Sequence, residues 1–261
     1  MASKKKQKVL KELTILLLYF IVTAFIIVYI GANYLVTVLL LWGIPSIYIS
    51  IRKPEIIRKT FLYSIFFALP ITFLVDYLAH VNLSWYVPSV IGIRILDTFP
   101  IDEFTWGFFY VYFIVSFYEY FFDRDRNKNI FSHNTIRLFY IISLALFAFG
   151  LLFIVNKELL VIKFFYILFI LFVILIPSSI ILYKYPTLFQ KIVLQGLYFF
   201  ILTIIYELTA LYLNQWYFPG KHYIGFVELF NFKFPFEEFL WLVLTVPACL
   251  CIYEYYADDR K

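Results

Sequence analysis

Two pairs of adjacent carboxylic acids, Asp102-Glu103 and Glu237-Glu238, are the residues of this chain best suited to chemistry. Each pair stands two residues after a proline, at the head of a long apolar run. Crowding and a low dielectric raise the pKa of at least one acid in such a group, which leaves a protonated acid beside an ionised one. That combination can both donate and remove a proton, which is acid–base catalysis.

The surroundings of the two acidic pairs also repeat along the chain. The single acids Asp76 and Glu207 match at an offset of 131 residues, and the offset grows to 135 at the prolines of the acidic motifs. Matches of Trp, Pro, Gly and acidic residues in one order indicate a duplicated unit, which we divide into halves 1–123 and 124–261. The further matches are Trp85-Tyr86 with Trp216-Tyr217, Ile91-Gly92 with Ile224-Gly225, Tyr118-Glu119-Tyr120 with Tyr253-Glu254-Tyr255, Pro45-Ser46 with Pro177-Ser178, and Pro54 with Pro186.

The composition is that of a membrane protein. Charged residues make up 15% of the chain and hydrophobic residues 64%, against about 25% and about 45–50% in soluble proteins. Apolar runs of about 20 residues, long enough to cross a hydrocarbon core of about 30 Å, recur throughout. We predict an all-α, polytopic membrane helical bundle with about eight transmembrane helices in two parallel pseudo-repeats. The predicted spans are 13–30, 34–51, 61–80, 104–122, 136–155, 160–183, 192–213 and 239–256.

The loop charges predict a cell-membrane protein with both termini cytoplasmic. In that orientation five of the 22 lysines and arginines fall on the outer side, and cytoplasmic loops are the ones enriched in such residues. The net charge of +5 then reflects topology and contact with anionic lipid, so no nucleic-acid partner is predicted. The first apolar run is predicted to be a retained helix rather than a cleaved signal peptide. The five outer residues are Arg94, Lys157, Lys163, Lys221 and Lys233.

Six carboxyl groups are predicted to converge at one depth of the bundle, near its outer side. An acid inside a membrane helix usually faces the bundle interior and marks a functional site. The alternative is helix capping, since proline and glutamate are common in the first turn of a helix. Adjacent helical residues point about 100° apart, so one acid of each pair could cap while the other faces inward. The candidate catalytic residues are Glu237, Glu238, Glu103, Asp102, Glu207 and Asp76.

Several other polar residues are predicted to have structural roles. Glu119 and Glu254 lie about 24 Å further along their helices, at the cytoplasmic end. His80 and His222 lie near the outer loops, where a surface or capping position is favoured over proton shuttling. The Trp-Tyr loops fit either an interfacial aromatic belt or a lid over a pocket.

The chain lacks the motifs of several common chemistries. It has no Gly-rich phosphate loop, no Gly-x-Ser-x-Gly and no His-Glu-x-x-His motif. Cys249 and Cys251 are two residues apart in one helix, on different sides, so neither a disulfide nor a metal site is predicted there. Aromatic residues reach 23%, and aromatic faces can stabilise a carbocation.

The duplicated Pro-x-(Asp/Glu)-Glu motif, with the intramembrane acid and the Trp-Tyr loop, resembles the membrane-integral lycopene cyclases of archaea, fungi and bacteria with heterodimeric enzymes. The likeness covers nearly the whole chain, as two fused lycopene cyclase domains. Pro235, Glu237 and Glu238 match the family's Pro-x-Glu-(Glu/Asp) pattern. The first copy departs from it, because Asp102 stands where the pattern has glutamate.

The resemblance implies a lycopene β-cyclase, an intramolecular lyase or isomerase of carotenoid biosynthesis. An acid protonates a terminal double bond, the cation closes a β-ionone ring, and a carboxylate removes a proton. Lycopene becomes β-carotene through γ-carotene without net redox change, so no cofactor is expected. Glu237 and Glu238 would be central, with Glu103 and Asp102 as counterparts.

Other functions fit the same residues. A carotenoid hydratase or another isoprenoid cyclase would use the same protonated acid. A parallel-repeat membrane transporter would also place acids inside a bundle. In each case the expected surroundings are the lipid bilayer, and a homo-oligomer is left open.

Overall fold

The computed structural model describes residues 2–123 and 133–258, with side chains from residue 7 onward. Eight helices account for most of this part of the chain, as an all-α bundle. Their bounds are α1 (Ala2–Ile30), α2 (Tyr34–Arg52), α3 (Pro54–Val81), α4 (Asp102–Tyr118), α5 (His133–Val155), α6 (Phe165–Lys184), α7 (Pro186–Tyr212) and α8 (Phe236–Tyr256).

Helix α4 is shorter than the other seven main helices, with 17 residues. The other seven are long and apolar enough to cross a membrane, which confirms the predicted polytopic bundle. α4 begins at Asp102 and Glu103, and a π-helical turn, Glu119–Asp123, continues it at the other end. It lies at the centre, where it packs against α2, α3 and α8.

Prolines inside the helices are accommodated by π-helical turns at three places. Proline has no N–H and cannot continue the α-helical hydrogen-bond pattern. At each place the residue before the proline donates its N–H five residues back, as Ile44 does to the oxygen of Leu39. These bonds satisfy the backbone inside the bundle. The turns are Leu39–Gly43 before Pro45, Ser64–Ala68 before Pro70, and Ile170–Leu175 before Pro177.

The π turn in α3 also explains a shift in the spacing between the halves. A π turn adds one residue to a helix, while the residues before and after it keep nearly the same orientation about the helix axis. Helix α7, the sequence counterpart of α3, is a regular α-helix over Phe189–Tyr212. Pro54 and Pro186 are 132 residues apart, whereas Asp76 and Glu207, beyond the turn, are 131 apart.

Four helices begin five or more residues from their predicted starts, and α1 begins at Ala2 instead of 13. Hydropathy placed the starts of α3 and α7 at 61 and 192, whereas Pro54 and Pro186 open them, because proline is favourable in a first turn. α6 starts at Phe165 instead of 160. Phe164 has a left-handed φ of 57°, which interrupts the helix.

Two antiparallel β-hairpins lie at one end of the bundle, just before α4 and α8. Two residues in each hairpin turn have left-handed φ angles, between 49° and 68°. We name this end the hairpin end, and the other the opposite end. The hairpins are short strands within the two predicted long loops: β1 (Arg94–Ile95) with β2 (Phe99–Pro100), and β3 (Phe226–Leu229) with β4 (Phe232–Pro235).

A glycine fixes how closely α4 approaches α3. A Cβ atom at Gly107 would lie 2.2 Å from Oγ1 of Thr72, so only glycine fits there. This contact brings the first turns of α4 beside the part of α3 nearest the hairpin end, where Asp76 is located.

Candidate active site

A cavity inside the bundle, near the hairpin end, is lined by four of the six candidate carboxyl groups. It has a volume of about 210 Å³. Asp76 comes from α3, Glu103 from the first turn of α4, Glu207 from α7 and Glu238 from the first turn of α8. All four are buried. The structure therefore brings these four acids, two from each half, around one space.

The other two candidate acids, Asp102 and Glu237, hold the loops instead of lining the cavity. Ser89 Oγ donates to Asp102 Oδ2 at 2.5 Å, and the N–H of Ile91 donates to Oδ1 at 3.2 Å. The N–H of Ile224 donates to Glu237 Oε1 at 2.8 Å. Each half thus uses the first acid of its pair to fix the Ile-Gly loop and presents the second to the cavity.

His80 is the partner of Glu103. Its Nε2 lies 3.0 Å from Glu103 Oε1, and both side chains are buried. The expectation of a surface or capping histidine is wrong, because α3 continues to Val81 and carries His80 against the start of α4. Among the described residues, His80 Nδ1 and Glu103 Oε2 have no hydrogen-bond partner. The pair can share or exchange one proton.

Tyr166, at the start of α6, is the partner of Glu238. Its hydroxyl donates to Glu238 Oε2 at 2.6 Å. Sequence analysis missed this residue and its counterpart Tyr34, which also lines the cavity. The signal was available, since the two tyrosines have the same 132-residue offset as Pro45 and Pro177.

The loop tryptophans contact the remaining two acids. Trp216 Nε1 donates to Glu207 Oε1 at 3.0 Å. Trp85 interacts with Asp76, and both tryptophans line the cavity. Their side chains therefore point into the bundle, which fits a lid over a pocket better than an interfacial belt.

The two loops pair with each other over the cavity. The N–H of Tyr86 donates to the oxygen of Tyr217 at 2.9 Å, and the N–H of Tyr217 donates back at 3.1 Å. Tyr223 donates its hydroxyl to the oxygen of Leu83 at 2.9 Å. Burial raises the pKa of Tyr223 to about 12, so this phenol remains a donor at neutral pH. These bonds close the cavity at the hairpin end.

Each loop also reaches a tyrosine of the other half. The ring of Trp85 lies 4.8 Å from that of Tyr166, and the ring of Trp216 lies 6.3 Å from that of Tyr34, both edge to face. Since Tyr166 also holds Glu238, residues of both halves surround each side of the site.

Aromatic rings of α4 and α8 form the cavity wall between these two helices. The rings of Trp106 and Trp241 lie 5.7 Å apart, and Tyr110 stacks on Trp106 at 5.1 Å. All three line the cavity. Ring faces of this kind attract a cation, with about 2 kcal/mol or more per contact when water is excluded.

Lysine and arginine form no direct ion pair with the four cavity acids in the described part of the chain. Arg94, on β1, donates to the backbone oxygens of Thr98 and Val87. Buried acids without a cation tend to hold protons.

A second group of acids lies at the opposite end and does have cationic partners. Lys59 Nζ lies 2.8 Å from Glu119 Oε1 and 2.9 Å from Asp258 Oδ1, and Lys191 Nζ lies 3.0 Å from Asp123 Oδ1. Carboxylate oxygens of these three acids lie within 4.8 Å of one another, a spacing that a metal ion could bridge. The lysine ammonium groups already supply positive charge there.

Tyrosines link this second group across the two halves. Tyr253 donates to Glu119, and Tyr118 donates to Glu254. Glu119 and Glu254 thus lie where the sequence placed them, at the end away from the acidic pairs. Arg124 and Arg260, which the sequence places a few residues after these glutamates, lie outside the described residues.

The thiols of Cys249 and Cys251 are free. Cys249 lines the cavity, and Cys251 is buried against the oxygen of Ser178.

No family model, curated protein or solved structure matches the chain. The geometry of the cavity is therefore the basis on which a function is assigned.

Proposed function

We propose that this protein is a membrane-integral lycopene β-cyclase that converts the ψ-ends of lycopene to β-ionone rings by acid–base catalysis. The observation that supports it most is one aromatic cavity, inside a membrane bundle, lined by four buried carboxyl groups without lysine or arginine partners. The resemblance of the duplicated acidic motif to lycopene cyclases supports the same assignment.

The proposed reaction needs one proton to enter and one to leave for each ring. A protonated carboxylic acid adds its proton to the terminal double bond, and the resulting cation is attacked by a second double bond of the same chain, which forms the ring. A carboxylate then removes a proton from the new ring cation. Glu103 with His80 and Glu238 with Tyr166 are the two pairs that we propose exchange these protons.

The surrounding residues suit the cationic intermediate. The aromatic side chains of Trp106, Trp241 and Tyr110 line the cavity, where a cation would be stabilised. The paired loops exclude water, which would otherwise capture the cation and give an alcohol. Asp76 and Glu207 are proposed to tune or share the catalytic proton, and Asp102 and Glu237 to position the loops.

We propose that the protein lies in the cell membrane with the hairpin end outside and both termini in the cytoplasm. The few lysines and arginines predicted on the hairpin side support this orientation. Reporter fusions at residue 261 and in the loop at residue 231 test it: a cytoplasmic signal from the first and an external signal from the second are expected.

Expression in cells that accumulate lycopene tests the function. Chromatography of the pigments should show β-carotene, with γ-carotene as the intermediate. Glu103→Gln should lower the conversion by about 100-fold, the range for loss of a catalytic acid or base.

Glu228→Gln is the matched control, because Glu228 is an exposed carboxylate on β3 of the same end. It should leave conversion unchanged. A product one water heavier than lycopene would indicate a hydratase. Unchanged lycopene with wild-type protein in the membrane would reject carotenoid chemistry and favour a transporter.

A further inference from the structure

The cavity continues away from the acids on only one side of the bundle. Beyond the carboxyl groups it runs between α3, α6 and α8, from Glu238 to Ile252 along α8. These 14 residues correspond to about 21 Å of helix. We name this extension the groove. Its lining includes Phe67, Ile71, Val173, Ile174, Cys249 and Ile252.

The corresponding position on the other side of the bundle is filled. Trp42 stands at the position that matches Ile174, with the 132-residue offset of Pro45 and Pro177. Its indole is fully buried, with ring centroids 5.3 Å from Phe20 and 5.2 Å from Tyr206. A tryptophan therefore occupies in one half the space that an isoleucine leaves open in the other.

The two helices at the periphery, α1 and α5, also pack differently in the two halves. α1 packs along α7 and buries Leu16, Phe20 and Ile27. α1 also contacts the π turn of α2, whereas its counterpart α5 packs mainly on α3 and α8 and, among the described residues, not on α6, the counterpart of α2. The groove therefore has an open edge between α3 and α6.

The open edge lies at the depth of the membrane. Val173 is in the middle of α6 and 47% exposed, and Ile71 is half-buried in the middle of α3. Between the acids and the opposite end, the groove lining contains no charged side chain. At the opposite end, Tyr63 packs on Tyr253 with ring centroids 5.0 Å apart, which closes the groove beside Lys59.

We propose that the groove holds the apolar chain of a linear isoprenoid, which enters sideways from the bilayer between α3 and α6. This inference rests on the proposed function, since the reacting end of the chain would lie at the acids. A chain longer than the groove would leave it through the open edge into lipid. The opposite end carries ionised groups and the hairpin end is closed by paired loops, so the bilayer is the accessible side.

Ile174→Trp tests the proposal by placing in the groove the residue that fills the other side. A tryptophan side chain there would fill part of the groove and exclude the isoprenoid chain, so conversion of lycopene and the lycopene that co-purifies with the protein should both fall about tenfold or more. Val173→Trp, at the lipid-exposed edge, should also lower both and disturbs the interior less. The readouts are pigment chromatography and polyene absorbance per protein after extraction in mild detergent.

Phe172→Trp is the control, because Phe172 lies on the same helix and faces away, 65% exposed. It should match wild type in both readouts. Wild-type conversion and lycopene content in both Ile174→Trp and Val173→Trp would overturn the groove. Wild-type protein that binds lycopene without converting it, with binding lost in Ile174→Trp, would support the groove and reject the cyclase. Wild-type protein that neither binds nor converts lycopene would reject both.

Discussion

Carboxyl groups gather at both ends of this bundle, but their partners are opposite in kind. At the hairpin end Glu103 and Glu238 face an open cavity, with a histidine and a tyrosine as their contacts. At the opposite end Glu119 and Asp258 are buried and form ion pairs with Lys59. The same residue type thus serves a proposed reaction at one end and holds helices together at the other. The two groups of acids differ in their partners, because in the described part of the chain a lysine forms ion pairs with the acids only at the opposite end.

The largest difference is expected from replacing one glutamate at each end. Glu238→Gln should lower conversion about 100-fold or more, because a carboxyl that moves a proton is lost while the amide still accepts from Tyr166. Glu254→Gln should keep wild-type turnover per folded molecule. The measurement is pigment conversion normalised to protein in the membrane. Equal losses in both would remove the distinction between the ends.

A substitution at the opposite end should change the free energy of unfolding. Lys59→Met leaves Glu119 and Asp258 buried without their shared ammonium, which should cost about 3–5 kcal/mol. Thermal unfolding in detergent measures it, and the molecules that remain folded should still convert lycopene. Lys157→Met, at an exposed lysine, is the control and should unfold like wild type. A Lys59→Met protein of normal stability would show that the ion pairs contribute little.

A pH series should also separate the ends. Asp258 follows the last helix, and burial raises its pKa to about 7, against the opposing effect of Lys59 and with the support of Glu119 and Asp123. The folded state then holds this proton to a higher pH than the unfolded state, whose pKa is about 3.9. Stability should therefore fall as the pH rises from about 4 to about 7 and level off above it. Asp258→Asn should flatten this part of the unfolding-temperature profile; an unchanged slope would assign it to other groups.

The smallest effect is expected within one acidic pair. Glu237→Gln keeps an oxygen that can accept from the N–H of Ile224, so conversion should change by less than about threefold, the scale of a modest hydrogen-bond perturbation. Glu237→Ala should lose more, since the loop N–H is left without its acceptor. If Glu237→Gln is as inactive as Glu238→Gln, the first acid of the pair takes part in the chemistry itself.

Hydropathy and repetition were enough to predict the helices and the end of the bundle at which the acids lie. The seven apolar spans, the end at which Asp76, Glu103, Glu207 and Glu238 lie, and the separate location of Glu119 all follow from spacing. The divergence of adjacent helical residues correctly predicted that only one acid of each pair faces inward, but the capping alternative is wrong, because the other acid binds the Ile-Gly loop and caps no helix. Which acid holds the loop depends on the hairpin geometry, which spacing does not contain.

The features that spacing could not give are contacts between distant segments. Tyr166 meets Glu238 only because α6 and α8 pack together, and His80 meets Glu103 only because Gly107 lets α4 approach α3. The difference between the filled and open sides depends on one substitution, Trp42 against Ile174, whose meaning appears only when α1 and α5 are seen to pack differently.

The bond between the two loops has one more consequence. Tyr86 and Tyr217 join through backbone atoms on both sides, so nearly any residue except proline could stand at either position and preserve the closure. Natural variation would therefore be tolerated there while the architecture persists. A comparison of side chains alone would overlook the junction that joins the two loops over the acids.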